Sequence, residues 1–193
     1  MNAVPDTKLA KEALHIVKHA LSENIFNHSM RVFYYGINYG KRKDIQFIEE
    51  ELYLVSLFHD LGFYHPFQIK GKPFQMGSSI ALRDFLVRDS KTDPKRINAL
   101  MEAIDFHFQF KPRWDKGEVA GLLQTAAHMD VLGKNSNSID QNQKKLILKS
   151  YPKKRFFLEF NLCLLKSFSN VNSVTGLLFP ERCCDSTHYL KEN

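Results

Sequence analysis

Apolar residues in this chain recur three and four positions apart over almost its whole length, and the strict alternation of a half-buried strand is almost absent. That periodicity predicts an all-α fold, a bundle of about seven to eight helices. The first helix is expected over 7–21, with Leu9, Ala13, Ile16, Val17 and Ala20 on one stripe and Asp6 as N-cap. A second is expected over 25–39, carried by Phe26, Val32, Phe33 and Ile37. A third is expected over 46–61, with Glu49, Glu50 and Glu51 favoured at its positive end and Gly62 as its stop. Pro66, Gly71 and Pro73 make 63–76 a surface loop. Further helices are expected over 77–90, 94–108, 117–132, 139–150 and 153–169, and Asp93-Pro94 is a start signal.

Composition bounds the reading. The chain has 193 residues and 44% hydrophobic content, which fits one domain and disfavours wholesale disorder. A net charge of +6 suits an anionic small molecule as partner without requiring one. The longest apolar run, around Leu52–Phe58, contains Ser56 and falls well short of the ~18 residues that span a membrane. The N-terminus shows no secretory pattern, and the three cysteines, with Cys183 and Cys184 adjacent, form no disulfide framework. A cytoplasmic location is therefore expected. No repeat or linker divides the chain.

Four residues carry the chemistry: His28, the adjacent pair His59-Asp60, and Asp130. Imidazole and carboxylate are ligands for borderline or hard divalent metals. The four fall on three expected helices. Neighbours on a helix point about 100° apart, so His59 and Asp60 share one ion only if it lies close against the helix.

The order His, then His-Asp, then Asp, all in helical settings, resembles the HD superfamily of metal-dependent hydrolases. The segments 28–36 (HSMRVFYYG), 57–62 (LFHDLG), Ala103-Ile104 with His107, and 128–133 (HMDVLG) are similar to its cyanamide-hydratase-like branch, as is Tyr151-Pro152 leading into Phe156, Phe157 and Phe160. The similarity covers roughly residues 9–170 and implies a single HD domain over 1–193, with a metal core at about 25–135, C-terminal helices at 139–169 and a mobile tail at 170–193. It implies His28, His59, Asp60 and Asp130 as ligands of one divalent ion, zinc first, with iron, manganese or nickel as alternatives. A second ligand position of some HD proteins holds Pro73 here, which cannot ligate. The branch's Phe-Glu is Phe74-Gln75, and its proline-rich segment reads Asn170-Val171-Asn172.

The expected activity is hydrolysis of a small molecule, with a phosphate group as one option, by a water activated on the metal. Asp60 is expected as proton relay, Arg31 as a fork gripping a substrate phosphate or carboxylate, and His107 as donor to the leaving group or extra ligand. Hydration of cyanamide or a nitrile is the alternative within the branch. A non-catalytic metal- or nucleotide-binding module is the rival from another class. A di-metal oxygenase would need a second ion. His15 and His19 lack the glutamate of a metalloprotease helix and read as a solvated face. His128, two residues before Asp130, reads as packing or as a residue behind the ligands, and His65 as a residue near the pocket mouth. Trp114, Phe108 and Phe110 read as core or pocket roof. The basic run Lys144, Lys145, Lys149, Lys153, Lys154, Arg155 lacks interleaved stacking residues, so nucleic acid is not an expected partner. A homodimer is compatible with the chain.

Overall fold

The computed structural model describes residues 3–88 and 92–170. The tail reading therefore lies outside the described residues, Cys183 and Cys184 included, apart from Asn170, which closes the last helix. Among the described residues there are eight α-helices: α1 Lys8–Ala20, α2 Glu23–Arg42, α3 Glu49–Phe58, α4 Phe74–Val87, α5 Pro94–Phe106, α6 Glu118–Leu132, α7 Gln141–Ser150 and α8 Phe156–Asn170. There is no strand among the described residues, so the all-α expectation holds.

The central element is α2. It is buried without a break from Asn27 to Ile37, which a helix tolerates only when neighbours cover it on every side. Its main neighbours are α6 and α3. Met30, Val32, Phe33 and Ile37 join Leu52, Leu54, Val55, Leu57, Leu122, Leu123 and Ala126 in one continuous core. Burial of each large side chain contributes roughly 1.5–3 kcal/mol. No described helix is long and apolar enough to cross a membrane.

Caps fix the helix starts. Ser22 Oγ accepts from Ile25 N at 3.3 Å, which starts α2 two residues before the expected span. Asp93 accepts from Lys95 N at 3.0 Å ahead of Pro94, as expected. Thr7, rather than Asp6, caps α1, its hydroxyl accepting from Ala10 N at 3.0 Å. The larger departure is at α3, which stops at Phe58 instead of running to Leu61. A 3₁₀ turn over Leu61–Phe63 follows, and α4 starts at Phe74, ahead of the expected 77.

Packing explains that shift. A Cβ on Gly62 would lie 1.9 Å from the Phe74 carbonyl oxygen, and one on Gly77 would lie 2.3 Å from that of Phe67. The glycines let the start of α4 close onto the turn, where Ser78 Oγ accepts from Gly62 N at 2.8 Å. Gly62 is thus a residue of close approach, not a helix stop.

Candidate metal centre

His59 and Asp60 occupy the first two positions beyond α3, where the chain bends into the 3₁₀ turn. His59 keeps helical backbone angles (φ −58°, ψ −25°) and Asp60 leaves them (φ −111°, ψ 5°), so the pair sits where the chain turns away from α3. His28 lies one turn into α2, across from them. The Nε2 atoms of His28 and His59 are 3.2 Å apart, and they lie 3.6 Å and 3.4 Å from Asp60 Oδ2. All three residues are buried, and one ligand atom from each lies within 4.8 Å of the others.

The other ring nitrogens set the tautomers. His59 Nδ1 lies 2.8 Å from the Ser56 carbonyl oxygen, and His28 Nδ1 lies 2.7 Å from Asp130 Oδ2. Both oxygens only accept, so each Nδ1 carries a proton and Nε2 is the inward-facing atom. His107 uses the same device as His59. It follows the last residue of α5 and donates Nδ1–H to the Ile104 carbonyl, three residues back, at 2.6 Å. These carbonyls belong to the last turn of a helix, where intrahelical donors run out. His107 Nε2 faces Asp60 Oδ1 from 3.9 Å.

Burial, then the neighbouring imidazole of His28, pushes the His59 pKa down to about 3. Burial and the His59 ring do the same to His107, also to about 3. Burial raises the Asp60 pKa above its ordinary value. Asp60 Oδ2 accepts no hydrogen bond although it is buried. A proton shared by the two Nε2 atoms would join the rings but leave this oxygen without a partner. A single cation among the three atoms satisfies all of them. The set of two buried imidazoles and a buried carboxylate whose Oδ2 has no partner fits a divalent metal.

Asp130, expected as fourth ligand, is placed differently. Its Oδ1 accepts from Arg31 Nε at 2.9 Å and lies 3.1 Å from Lys153 Nζ; its Oδ2 accepts from Arg31 Nη2 at 2.8 Å and from His28 Nδ1 at 2.7 Å. Lys153 also donates to the Asp130 backbone carbonyl. A carboxylate has about four lone-pair sites, and all are occupied. Burial alone would raise the Asp130 pKa, but the hydrogen bonds from His28 and Arg31 outweigh it and hold the carboxyl well below its usual range. Asp130 is therefore the partner that orients His28, not one of the three converging donors.

Arg31 likewise cannot grip a substrate as expected. It is fully buried, its fork is closed on Asp130, Nη1 donates to the carbonyls of Tyr151 at 3.2 Å and Pro152 at 3.3 Å, and the ring of Phe156 lies 5.1 Å from its guanidinium carbon. Phe156 also stacks on His28, ring centroids 4.6 Å apart. Helix α8 is thereby tied to the site, and Glu159 fastens it further by accepting from Asn24 Nδ2 at 2.8 Å and Tyr64 OH at 2.9 Å.

His28, His59, Asp60 and His107 form one side of a cavity of about 380 Å³. Phe108 and Phe110 line it, as does His128, which the sequence reading placed in packing or behind the ligands. Because Asp130 turns toward Arg31, His128 two positions earlier turns toward the cavity. Trp114 is not a lining residue; it lies against α6, where a Cβ on Gly121 would come within 2.1 Å of its ring. His65 is exposed and lines no part of this cavity. The α8 wall of Phe157, Phe160 and Leu164 was not foreseen as pocket lining, although its spacing of three and four was visible. In the basic run, Lys153 is engaged with Asp130 and Lys154 pairs with Glu23 at 2.6 Å.

Comparison with protein-family models and with curated proteins finds no match for the chain.

Proposed function

We propose that the protein is a metal-dependent hydrolase of the HD type that acts on a small molecule. The observation that carries this reading is the buried Asp60 Oδ2, without a hydrogen bond, between two imidazole Nε2 atoms at 3.4 and 3.6 Å. His28, His59 and Asp60 would hold the ion, with zinc the first candidate by its ligand types. Such a cation supplies Lewis acidity and lowers the pKa of water toward about 7 in favourable zinc sites.

The chain's own residues do the rest. Asp130 and the Ser56 carbonyl fix the two ligand imidazoles in the tautomer that offers Nε2, the outer-shell arrangement that raises ligand basicity. His107 Nε2 carries no proton, because Nδ1–H is given to the Ile104 carbonyl, and it lies 3.9 Å from Asp60 Oδ1; a proton released by the attacking water can be taken up between these two acceptors and passed to a leaving group beside them. The apolar cavity walls and the burial of His28, His59, Asp60 and His107 lower the local dielectric, which strengthens charge interactions at the site.

The reading is tested by assaying phosphomonoesters, nucleotides, nitriles and amides with added zinc, manganese, iron or nickel. Turnover should require the metal and fall by about 100-fold or more in Asp60→Asn, which keeps the shape but weakens the donor. Turnover that survives both Asp60→Asn and chelation contradicts it.

A further inference from the structure

The cavity has a pronounced division of chemistry. Its ionisable cluster lies at His28, His59, Asp60 and His107, while the rest of the lining is mainly aromatic and aliphatic, interrupted by Gln109, His128, Lys134 and Asn161. Phe157, Phe160 and Leu164 follow one another at spacings of three and four along α8, so they present one face. Across from them, Ala127 and Val131 stand four apart on α6. Two apolar stripes therefore bound a slot that leads to Asp60.

Cations are scarce there. Lys134, exposed just past the end of α6, is the one lysine or arginine among the described lining residues. Arg31, the guanidinium nearest the site in sequence, is closed on Asp130 and two carbonyls and turns no donor to the cavity. A divalent ion held by His28, His59 and Asp60 would supply positive charge of its own, part of it offset by Asp60, but a phosphate dianion beside it would still lack the paired charged forks or converging N–H groups that phosphate recognition normally uses. The volume of about 380 Å³ lies near the lower end of the range for ligand pockets, roughly 300–1,000 Å³.

We propose that the site selects a compact, uncharged molecule with an aromatic or branched-alkyl body held in the slot between α8 and α6 and its polar group at Asp60, and that it rejects phosphate esters of the same size. The inference rests on the hydrolase reading only for the end at which the polar group sits.

The test compares benzamide with phenyl phosphate, which share a ring and differ in charge, and with inorganic phosphate. Calorimetry on the zinc-treated full chain should show benzamide binding about tenfold or more tightly than phenyl phosphate. Leu164→Trp, which fills the slot, should weaken benzamide by about tenfold or more while circular dichroism and zinc content stay constant. Ala127→Leu narrows the slot from the other wall and serves if the tryptophan variant fails to fold. Equal or tighter binding of phenyl phosphate, or a benzamide affinity unmoved in the folded variants, overturns the inference. Zinc content, read on the same samples, separates the two readings. Benzamide binding that depends on Leu164 in a chain that takes up no zinc would sink the hydrolase reading and keep this one; a zinc-loaded chain that prefers phenyl phosphate would do the reverse.

Discussion

Arg31 is the residue whose role changed most between sequence and structure. Three positions after His28 it looks like a substrate fork, because an arginine near a metal motif on one helical face invites that reading. Its true partner, Asp130, is 99 positions away, and no local spacing announces such a pair. Removing one member of a buried pair leaves the other uncompensated. Arg31→Met should therefore cost about 3 kcal/mol in urea unfolding, the low end for such pairs because Lys153 still faces Asp130. A substrate-gripping arginine would instead lose activity at unchanged stability. Asp130 gives the same pair a pH signature. Its folded pKa lies below the ordinary 3.8, so its contribution is fully present above that value and is lost as pH falls through the folded pKa. Between pH about 5 and about 3, unfolding free energy should fall more steeply in the parent than in Asp130→Asn, which has no proton to gain. Equal slopes would contradict the linkage. That His28, His59 and Asp60 come together as a group able to hold a metal ion was legible at this scale, since they stand out by residue type. The carboxylate that completes the set in sequence turned out to brace an imidazole.

Elements were legible wherever local chemistry decides them. The three-and-four spacing gave α1, α2, α5 and α6 with ends shifted by a few residues, and Asp93-Pro94 marked the start of α5. The end of α3 was not legible, because it is set by α4 closing onto the following turn and not by the residues of α3. Gly62 is the witness. An added methyl would collide with the Phe74 carbonyl, a backbone atom that cannot rotate away. Gly62→Ala should lower stability by about 3 kcal/mol or more in thermal or urea unfolding and displace His59-Asp60 along with the turn. Gly71→Ala is the control: its Cβ meets nothing, and the cost there is only that of a left-handed φ of 75°. If Gly62→Ala unfolds like the parent, the account of the turn is wrong. The α8 wall belongs here too. Its spacing was visible, but which of its faces turns to the cavity depends on Phe156 docking over His28 and Arg31 on α2.

At the scale of the whole molecule, a helix buried on all sides brings one end of α3, one end of α5 and α8 to a single spot. Core packing holds the backbone there, and hydrogen bonds to carbonyls and to Asp130 hold the rings. The net charge of +6 acts outside this site, whose described lining includes a single lysine and no arginine. The proposed hydrolase activity depends on whether a cation occupies the point among His28 Nε2, His59 Nε2 and Asp60 Oδ2. The most direct measurement is elemental analysis of the purified full-length chain after expression with divalent metals supplied. About one divalent ion per chain is expected, retained on desalting and lost in His59→Ala of native helicity. Metal at trace level in the parent, or an unchanged ion content in that folded variant, would contradict the account.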